Sequence, residues 1–141
     1  MDPVAMDNLI KAHIEAEMAG DPARAVAMYT EDVEHDVVGF PGGPASDKEG
    51  ARRFYEYLVR NFHTEEMTPV RRYYGENFSV IEHECTGTVP GDFMGVAGNN
   101  RRITFRMLHV WEFRDGKICR ENVWLDDGNI LGQLAASASS R

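Results

Sequence analysis

The sequence predicts an α+β fold, and three observations lead to this class. Helical periodicity dominates the chain up to about residue 62. From about residue 67 onward, apolar and polar residues alternate as in β-strands, with one further strand placed early, over 32–40. The turn Arg114-Asp115-Gly116-Lys117 is typical of an antiparallel hairpin. Helices followed by a run of strands favour α+β over a doubly wound α/β sheet.

Three helices are predicted before the main run of strands. Asp2-Pro3 begins the first, because Asp is a preferred N-cap and Pro is tolerated at the first helical position. Gly20 ends it, and Asp21-Pro22 begins a short second helix. The third helix starts at Ser46 or Asp47. Its apolar side chains lie on one face: Phe54, Tyr55, Leu58, Val59 and Phe62.

The remaining segments are predicted as strands that together form a curved sheet. Residues 70–76 turn into a strand over 77–89, and a glycine-rich connection over 91–100 leads to a long strand over 101–113. Its hairpin partner spans 117–126, and residues 129–137 form a last helical turn. Helices packed on the concave side of such a sheet enclose a cavity, which is a natural small-molecule site.

Composition limits the function classes. The 141 residues suit one domain, 1–141, and 15 Lys and Arg against 23 Asp and Glu give a net charge of −8. Nucleic acid and anionic membrane surfaces demand basic patches, so neither is an expected partner. No segment is long and apolar enough to span a bilayer, and we expect a cytoplasmic protein with Cys85 and Cys119 as free thiols.

The long strand over 101–113 supplies the most informative candidate site residue. One face carries Ile103, Phe105, Met107, His109, Trp111 and Phe113, because side chains alternate with period two. His109 is the only ionisable group on that face. Burial disfavours the imidazolium and lowers the pKa of the ring, which suits acid–base work near neutral pH. The alternative is a core histidine bonded to a backbone carbonyl.

Other candidates depend on which face of an element meets the cavity. His13 lies on the apolar face of the first helix, either in the pocket or at the edge of the core. In the early strand, His35 shares a face with Val33 and Val37, so we expect His35 to line the pocket and keep Asp36 as the alternative. Arg120 and Glu121 are expected on a solvated or dimer-facing sheet surface, paired with neighbouring strands.

Neither a metal nor a nucleotide cofactor is predicted. The five histidines are dispersed, and they show no ligand spacing. The glycines between Gly87 and Gly98 do not form the strand–loop–helix motif that cradles phosphates.

Several short motifs, in order, resemble one known family. They are Ala19-Gly20-Asp21, residues 27–33 (AMYTEDV), Thr86-Gly87-Thr88 with residues 91–95 (GDFMG), residues 102–106 (RITFR), the hairpin over 111–118, and Glu121, Trp124, Asp126 and Gln133-Leu134. This pattern resembles the SnoaL-like proteins of the nuclear transport factor 2 superfamily over nearly the whole chain.

The resemblance implies a cone-shaped α+β barrel, a homodimer formed through the open face of the sheet, and cofactor-free chemistry. Polyketide cyclases, ketosteroid isomerases and limonene-epoxide hydrolases share that fold. By analogy, His109 stands where the isomerases carry a carboxylic acid that binds the substrate oxygen, and His13 where they carry a catalytic tyrosine. Asp126 stands where the cyclases carry their general acid/base. It is equally well explained as the N-cap of the last helical turn.

These observations lead to a first hypothesis of a cofactor-free acid–base enzyme acting on a small apolar carbonyl compound by aldol cyclisation or isomerisation. Asp126 would move the proton, while His109 and His13 would bind the developing enolate oxygen. The residues expected to contact substrate are His35, Asp36, Phe54, Leu58, Phe105, Met107, Trp111 and Trp124. The alternatives are a domain that only binds a small ligand and a protein-interaction domain.

Overall fold

The computed structural model describes residues 1–139, with side chains through residue 136. The helices are α1 (Pro3–Met18), α2 (Pro22–Ala25), α3 (Lys48–Asn61) and α4 (Asp127–Ser139). The strands are β1 (Tyr29–Val37), β2 (His63–Tyr74), β3 (Phe78–Val89), β4 (Asp92–Phe93), β5 (Val96–Ala97), β6 (Arg101–Arg114) and β7 (Lys117–Leu125). The predicted α+β class is confirmed. Across the described residues, no helix has the length and apolar character needed to cross a membrane.

The main sheet has five strands in the order β1-β7-β6-β3-β2. The pairs formed by β2, β3, β6 and β7 are antiparallel, as predicted. The early strand β1 pairs with β7 in parallel, so the sheet is mixed rather than wholly antiparallel. The chain leaves β1 at one edge, and α3 carries it across to β2 at the other edge.

Local sequence signals set several element ends. The side chain of Asp2 accepts a hydrogen bond from Ala5 N at 2.8 Å, and that of Asp47 accepts one from Gly50 N at 2.7 Å, which caps α1 and α3. In the β6–β7 turn, Asp115 and Gly116 have φ values of 53° and 73°. A two-residue hairpin with positive φ at both positions matches the twist of its strands.

Several element bounds differ from the sequence prediction, and β1 spans Tyr29–Val37 rather than 32–40. β2 begins at His63 rather than near residue 67, and α4 extends over Asp127–Ser139. Residues 91–100 contain the short strands β4 and β5, which pair as a small antiparallel sheet. Charged residues at the start of β2 and glycines around β4 and β5 hid these strands, because their side chains are largely exposed and carry no apolar periodicity.

The core lies between the helices and the sheet and has two clusters. The larger joins α1, α2 and α3 to the sheet through buried side chains that include Met6, Ile10, Tyr55, Trp111 and Phe113. The smaller cluster packs Ile130 and Leu134 of α4 against Cys85, Ile103 and Phe105. The space that these clusters leave between them holds the candidate site.

Candidate active site

An apolar cavity lies between α3 and the inward face of the sheet. Its volume is about 60 Å³, which is room for roughly four to six water molecules. Apolar side chains form most of its wall: Val37, Phe40, Phe54, Leu58, Phe62, Met67, Phe93, Ile103, Phe105, Met107, Val123 and Leu125. Polar groups reach it from Glu17, His35, Tyr55, Thr64, Cys85, His109 and Glu121.

The carboxylate of Glu121 is the centre of a buried polar network, and the residue is only 2% exposed. Tyr29 Oη donates to its Oε1 at 2.5 Å, and Tyr55 Oη donates to its Oε2 at 3.0 Å. The Nε2 atoms of His13, His35 and His109 lie 3.3, 3.8 and 3.8 Å from the carboxylate. The burial cost of this charge is therefore offset by hydrogen bonds and facing imidazoles.

The inward direction of Glu121 corrects the expectation of a surface position, and a β-bulge explains it. In the β6–β7 ladder, Phe113 pairs with Ile118, but Glu112 pairs with Arg120, so Cys119 is an extra residue. Simple alternation from the buried Ile118 would turn Arg120 inward. The extra residue shifts the phase, which turns Glu121 inward and leaves Arg120 beside Glu112 and Glu34 on the outer face.

The Tyr55 hydroxyl joins the members of this network. It lies 3.0 Å from His35 Nε2, 3.1 Å from His13 Nε2 and 3.1 Å from Tyr29 Oη, besides its bond to Glu121. A phenol therefore occupies the point at which two imidazoles and a carboxylate converge. Among the side chains that the structure describes, no three His, Cys, Asp or Glu residues are arranged to hold a metal ion.

The hydrogen bond from His13 to a backbone carbonyl fixes which nitrogen of the imidazole carries a proton. Its Nδ1 is 2.7 Å from the carbonyl oxygen of Ala25, which can only accept, so Nδ1 carries a hydrogen. Its Nε2 faces Glu121 Oε1 at 3.3 Å, and a lone pair facing a carboxylate oxygen would be repelled. The same nitrogen lies 3.1 Å from Tyr55 Oη, so the carboxylate and the phenol of the network both reach His13 Nε2.

The groups facing the cavity differ in their affinity for protons. Burial alone would raise the pKa of Glu121, but the facing His13, with His35, His109 and the Tyr29 hydrogen bond, holds it below the usual value. Burial lowers the pKa of His35, and it lowers the pKa of His109 to about 3. Near neutral pH the site therefore presents an ionised carboxylate behind two neutral imidazoles.

Two other cavity groups are shifted by burial. Burial raises the pKa of Glu17 to about 7, against the opposing effect of His13 and with a further increase from Glu121. Burial raises the pKa of the Cys85 thiol to about 12. Cys85 is therefore a neutral thiol rather than a nucleophile near neutral pH.

The three predicted histidines come together. His35 and His109 line the cavity, and His13 lies behind Glu121 with none of its surface exposed. His109 stacks on Trp111 with ring centroids 5.1 Å apart, and it has no bond to a backbone carbonyl at Nδ1. Asp36 lies on the opposite face of β1, where its Oδ2 accepts from Asn122 Nδ2 at 3.4 Å.

Asp126 lies outside the cavity and is exposed, contrary to its expected place in the site. Its side chain accepts from Asn129 N at 3.4 Å, and its carbonyl accepts from Ile130 N at 3.0 Å, as an N-cap does. Trp124 is 52% exposed on the outer sheet face, because the alternation in β7 that turns Glu121 inward turns Trp124 outward. Trp111 is fully buried in the core behind His109, so it does not line the cavity.

Of the remaining substrate-contact residues predicted from the sequence, Phe54, Leu58, Phe105 and Met107 all line the cavity. Sequence reasoning missed Glu17, Tyr29, Tyr55 and Glu121 as polar site residues. One signal was available for Glu17, which stands four residues after His13 and therefore shares its helix face. The helical pattern places Tyr55 on the apolar face of α3 and gives no sign of what its hydroxyl contacts.

An outer groove of about 740 Å³ adjoins the cavity. It lies between the loop over 41–47 and residues 92–95, and it shares Phe40 and Phe54 with the cavity wall. The ring of Phe40 makes edge-on contacts with Phe54, Tyr57 and Phe93, at centroid distances of 5.5, 5.6 and 5.9 Å. These four rings form an aromatic partition between the cavity and the outer groove.

The helices packed on a curved sheet, with a small apolar cavity between them, define the class of nuclear transport factor 2-like, or ketosteroid isomerase-like, α+β proteins. Residues 10–121 match the SnoaL-like domain. The chain belongs to the SnoaL-like family, as its motifs indicated. A comparison with curated proteins gives no match.

Solved structures with the same fold differ widely in sequence. A proposed polyketide cyclase from Xanthomonas campestris pv. campestris is 18% identical, with a TM-score of 0.78 over 92% of this chain and 96% of that chain. A proposed SnoaL-like polyketide cyclase from Jannaschia sp. is 13% identical, with a TM-score of 0.82 over 96% of each chain. A ketosteroid isomerase-like protein from Catenulispora acidiphila, in complex with trimethylamine, is 13% identical, with a TM-score of 0.75 over 90% and 92%. Such identities establish the fold and leave the chemistry to the site.

Proposed function

We propose that this protein is an acid–base catalyst of the cyclase or isomerase type, acting on a small apolar carbonyl compound with its own side chains. The observation that carries the proposal is the part of the cavity wall that holds His35, His109 and Tyr55 beside the ionised Glu121, in a cavity that is mostly apolar elsewhere. Removal of a proton next to a carbonyl places negative charge on the carbonyl oxygen. Fixed donors in a dry site stabilise that charge strongly.

His35 and His109 are proposed to bind the substrate oxygen, and Glu121 to hold the network that positions them. Neutral imidazoles suit this role because they donate an N–H without bringing a charge that would need its own partner. Glu121 fixes the Tyr29 and Tyr55 hydroxyls, and Tyr55 in turn contacts His35 at 3.0 Å. His13 is proposed as a positioning residue rather than as a substrate contact, because it lies behind Glu121. The proton-moving role expected for Asp126 is not retained, because its carboxylate lies outside the cavity.

Cavity size restricts the substrate. Pockets for drug-sized ligands typically have volumes of about 300–1,000 Å³, far above the 60 Å³ found here. We therefore propose that the reacting carbonyl end of the substrate enters the cavity, and that any larger remainder lies in the outer groove beyond Phe40. A compact polycyclic substrate would need the aromatic partition to move.

Exchange of α-hydrogens for deuterium tests this proposal without knowledge of the natural substrate. Butanone and cyclopentanone are small ketones that can place their carbonyl end in the cavity, and NMR in D2O follows loss of their α-proton signals. Wild-type protein should accelerate this exchange. His109→Phe, which keeps the stacking on Trp111, should lose about 10²–10³-fold of the rate, the typical cost of one oxyanion donor.

The control is Tyr73→Phe, a conservative change at a 55% exposed position of β2 that lines neither the cavity nor the grooves beside it. It should exchange as fast as wild type. Absence of exchange by wild type across small ketones, with the ketones still bound, would refute catalysis and favour a domain that only binds a small ligand.

We also propose a homodimer through the outer face of the sheet. Leu108 and Trp124 are paired neighbours on β6 and β7, and they are 37% and 52% exposed. Adjacent large apolar side chains on an open sheet face are typical of an interface. Sedimentation equilibrium should give a dimer for wild type and a monomer for Trp124→Asp, whereas a monomeric wild type would refute the assignment.

A further inference from the structure

Glu17 is a cavity carboxylate to which neither the sequence nor the oxygen-binding wall assigns a role. Its side chain is 14% exposed and lies one turn after His13 on α1, with Oε2 3.6 Å from His13 Nε2. No hydrogen bond to it is found among the described side chains. Glu121 uses lone pairs of its carboxylate oxygens to accept hydrogen bonds from Tyr29 and Tyr55. The corresponding lone pairs of Glu17 accept no such hydrogen bond from the described side chains.

Glu17 also lies between two spaces. It lines the inner cavity, and it lines a rear groove of about 300 Å³ formed with Met18, Ala19, Gly20, Val59 and His63. Phe62 and Thr64 line both spaces as well. A carboxyl group at this position can meet a ligand on one side and exchange its proton with solvent on the other.

The other ionisable groups of the cavity are poorly suited to take a proton from carbon. The imidazoles of His35 and His109 are weakened as bases by burial, and Glu121 is committed to its donors. Tyr55 and Cys85 hold their own protons, because burial raises the pKa of both groups. A general base works best when its pKa is close to the working pH.

We propose that Glu17 is the general base of this site and that the rear groove is the route by which its proton exchanges with solvent. The proposal rests on the proposed function. The Glu17 carboxylate removes an α-proton, the electrons of the C–H bond form the enolate C=C bond, and the carbonyl oxygen takes the charge beside His35 and His109. Return of a proton from the Glu17 carboxylic acid to carbon completes the cycle, and in D2O that proton is replaced by a deuteron through the rear groove.

The titration of Glu17 is set by groups on several elements. Those that face it are His13 on α1, Tyr29 on β1, Tyr55 on α3, Cys85 on β3 and Glu121 on β7, with His63 in the rear groove. The carboxylate is the active form of the base. Exchange should therefore rise with pH through a midpoint of about 7 and level off above it.

Deuterium exchange of butanone by wild type, Glu17→Gln and Glu17→Asp tests the proposal. Glu17→Gln should lose about 10²-fold or more of the exchange rate and keep its affinity for butanone, measured by ligand-observed NMR. Glu17→Asp, which keeps a carboxylate, should retain more of the rate. The matched control Glu15→Gln removes an exposed carboxylate of the same helix, and it should exchange like wild type.

A second readout is independent of turnover. The side-chain carboxyl ¹³C signal that Glu17→Gln removes should titrate near pH 7 in wild type, well above the ordinary pKa of 4.5 for glutamate. Exchange by Glu17→Gln within threefold of an active wild type, or titration near 4.5, would overturn the role of Glu17 and leave the proposed function standing. A wild type inactive on all small ketones would overturn both.

Discussion

Replacing Glu121 by glutamine tests the buried network most directly. The amide keeps the shape of the carboxylate but removes the charge that faces His13 at 3.3 Å and one of the two acceptors used by Tyr29 and Tyr55. An unsatisfied buried donor costs about 1–3 kcal/mol, and loss of one partner of a buried ion pair costs about 3–5 kcal/mol. We therefore expect the free energy of unfolding to fall by about 3–5 kcal/mol near neutral pH.

Urea unfolding followed by tryptophan fluorescence, to which the buried Trp111 contributes, measures this loss. Glu112→Gln is the matched control, because that carboxylate is 45% exposed and pairs with Arg120, so its removal should cost at most about 1 kcal/mol. The pKa of Glu121 is lowered by folding, so its contribution is present above the unfolded value and is lost as pH falls through the folded value. A loss below about 1 kcal/mol for Glu121→Gln, or a loss that does not shrink in acid, would refute the network as described.

Three further perturbations test other parts of the molecule. Asp126→Asn should change neither the rate of ketone exchange nor the urea midpoint, because Asn caps helices as well as Asp does. Asp126→Ala should lower the free energy of unfolding by about 1 kcal/mol. Slowed exchange in Asp126→Asn would return that residue to the mechanism. Phe40→Ala should raise exchange of larger cyclic ketones relative to butanone, and an unchanged ratio of the two rates would show that the aromatic partition does not limit entry. Folding raises the pKa of Glu17, so ionisation of this carboxyl favours the unfolded chain. The free energy of unfolding of Glu17→Gln should therefore exceed that of wild type by a growing amount as pH rises from about 4.5 to about 7, up to about 3 kcal/mol. Urea titrations of both proteins near pH 5 and pH 8 measure that difference. A free energy of unfolding that is the same for wild type and Glu17→Gln at both pH values would contradict the prediction.

The buried network also bears on how the fold and the site depend on each other. Its members come from α1, β1, α3, β6 and β7, so the site is complete only when every one of these elements is docked. Replacing the polar members by apolar residues of similar size often leaves stability unchanged or improves it. Stability alone therefore does not account for these polar groups, and the proposed chemistry of the cavity gives them a role.

Much of the fold was readable because its signals are local. The caps at Asp2 and Asp47 bond to nitrogens three residues away, and the Asp115-Gly116 turn needs only its own backbone angles. The alternation along β6 also correctly turned His109 inward, since side chains on a regular strand change face at every residue. The family motifs were confirmed by the match over residues 10–121.

The candidate site was only partly readable. His35 and His109 line the cavity as expected, and the roles of His35 in substrate binding and of His109 in catalysis stay predictions. Asp126 does not line the cavity, and its side chain caps α4 instead. An aspartate just before a helix fits both a catalytic and a capping role, and the sequence favoured neither. Glu121 was misplaced because one extra residue at Cys119 reverses the faces of the strand that follows.

The sequence by itself determined the α+β class, the order of the elements, the family and the inward face of the long strand. The class, the order of the elements and the inward face follow from periodicity or from bonds between near neighbours, whereas the family was indicated by the resemblance of short motifs. Only the tertiary structure decided that Glu121 is buried, that the Tyr55 hydroxyl joins His13 and His35, and that Glu17 lies between the cavity and the rear groove. The Tyr55–Glu121 bond links residues 66 positions apart, and its existence depends on how α3 docks and how β7 is bulged. Such contacts are properties of packing, which no local pattern encodes.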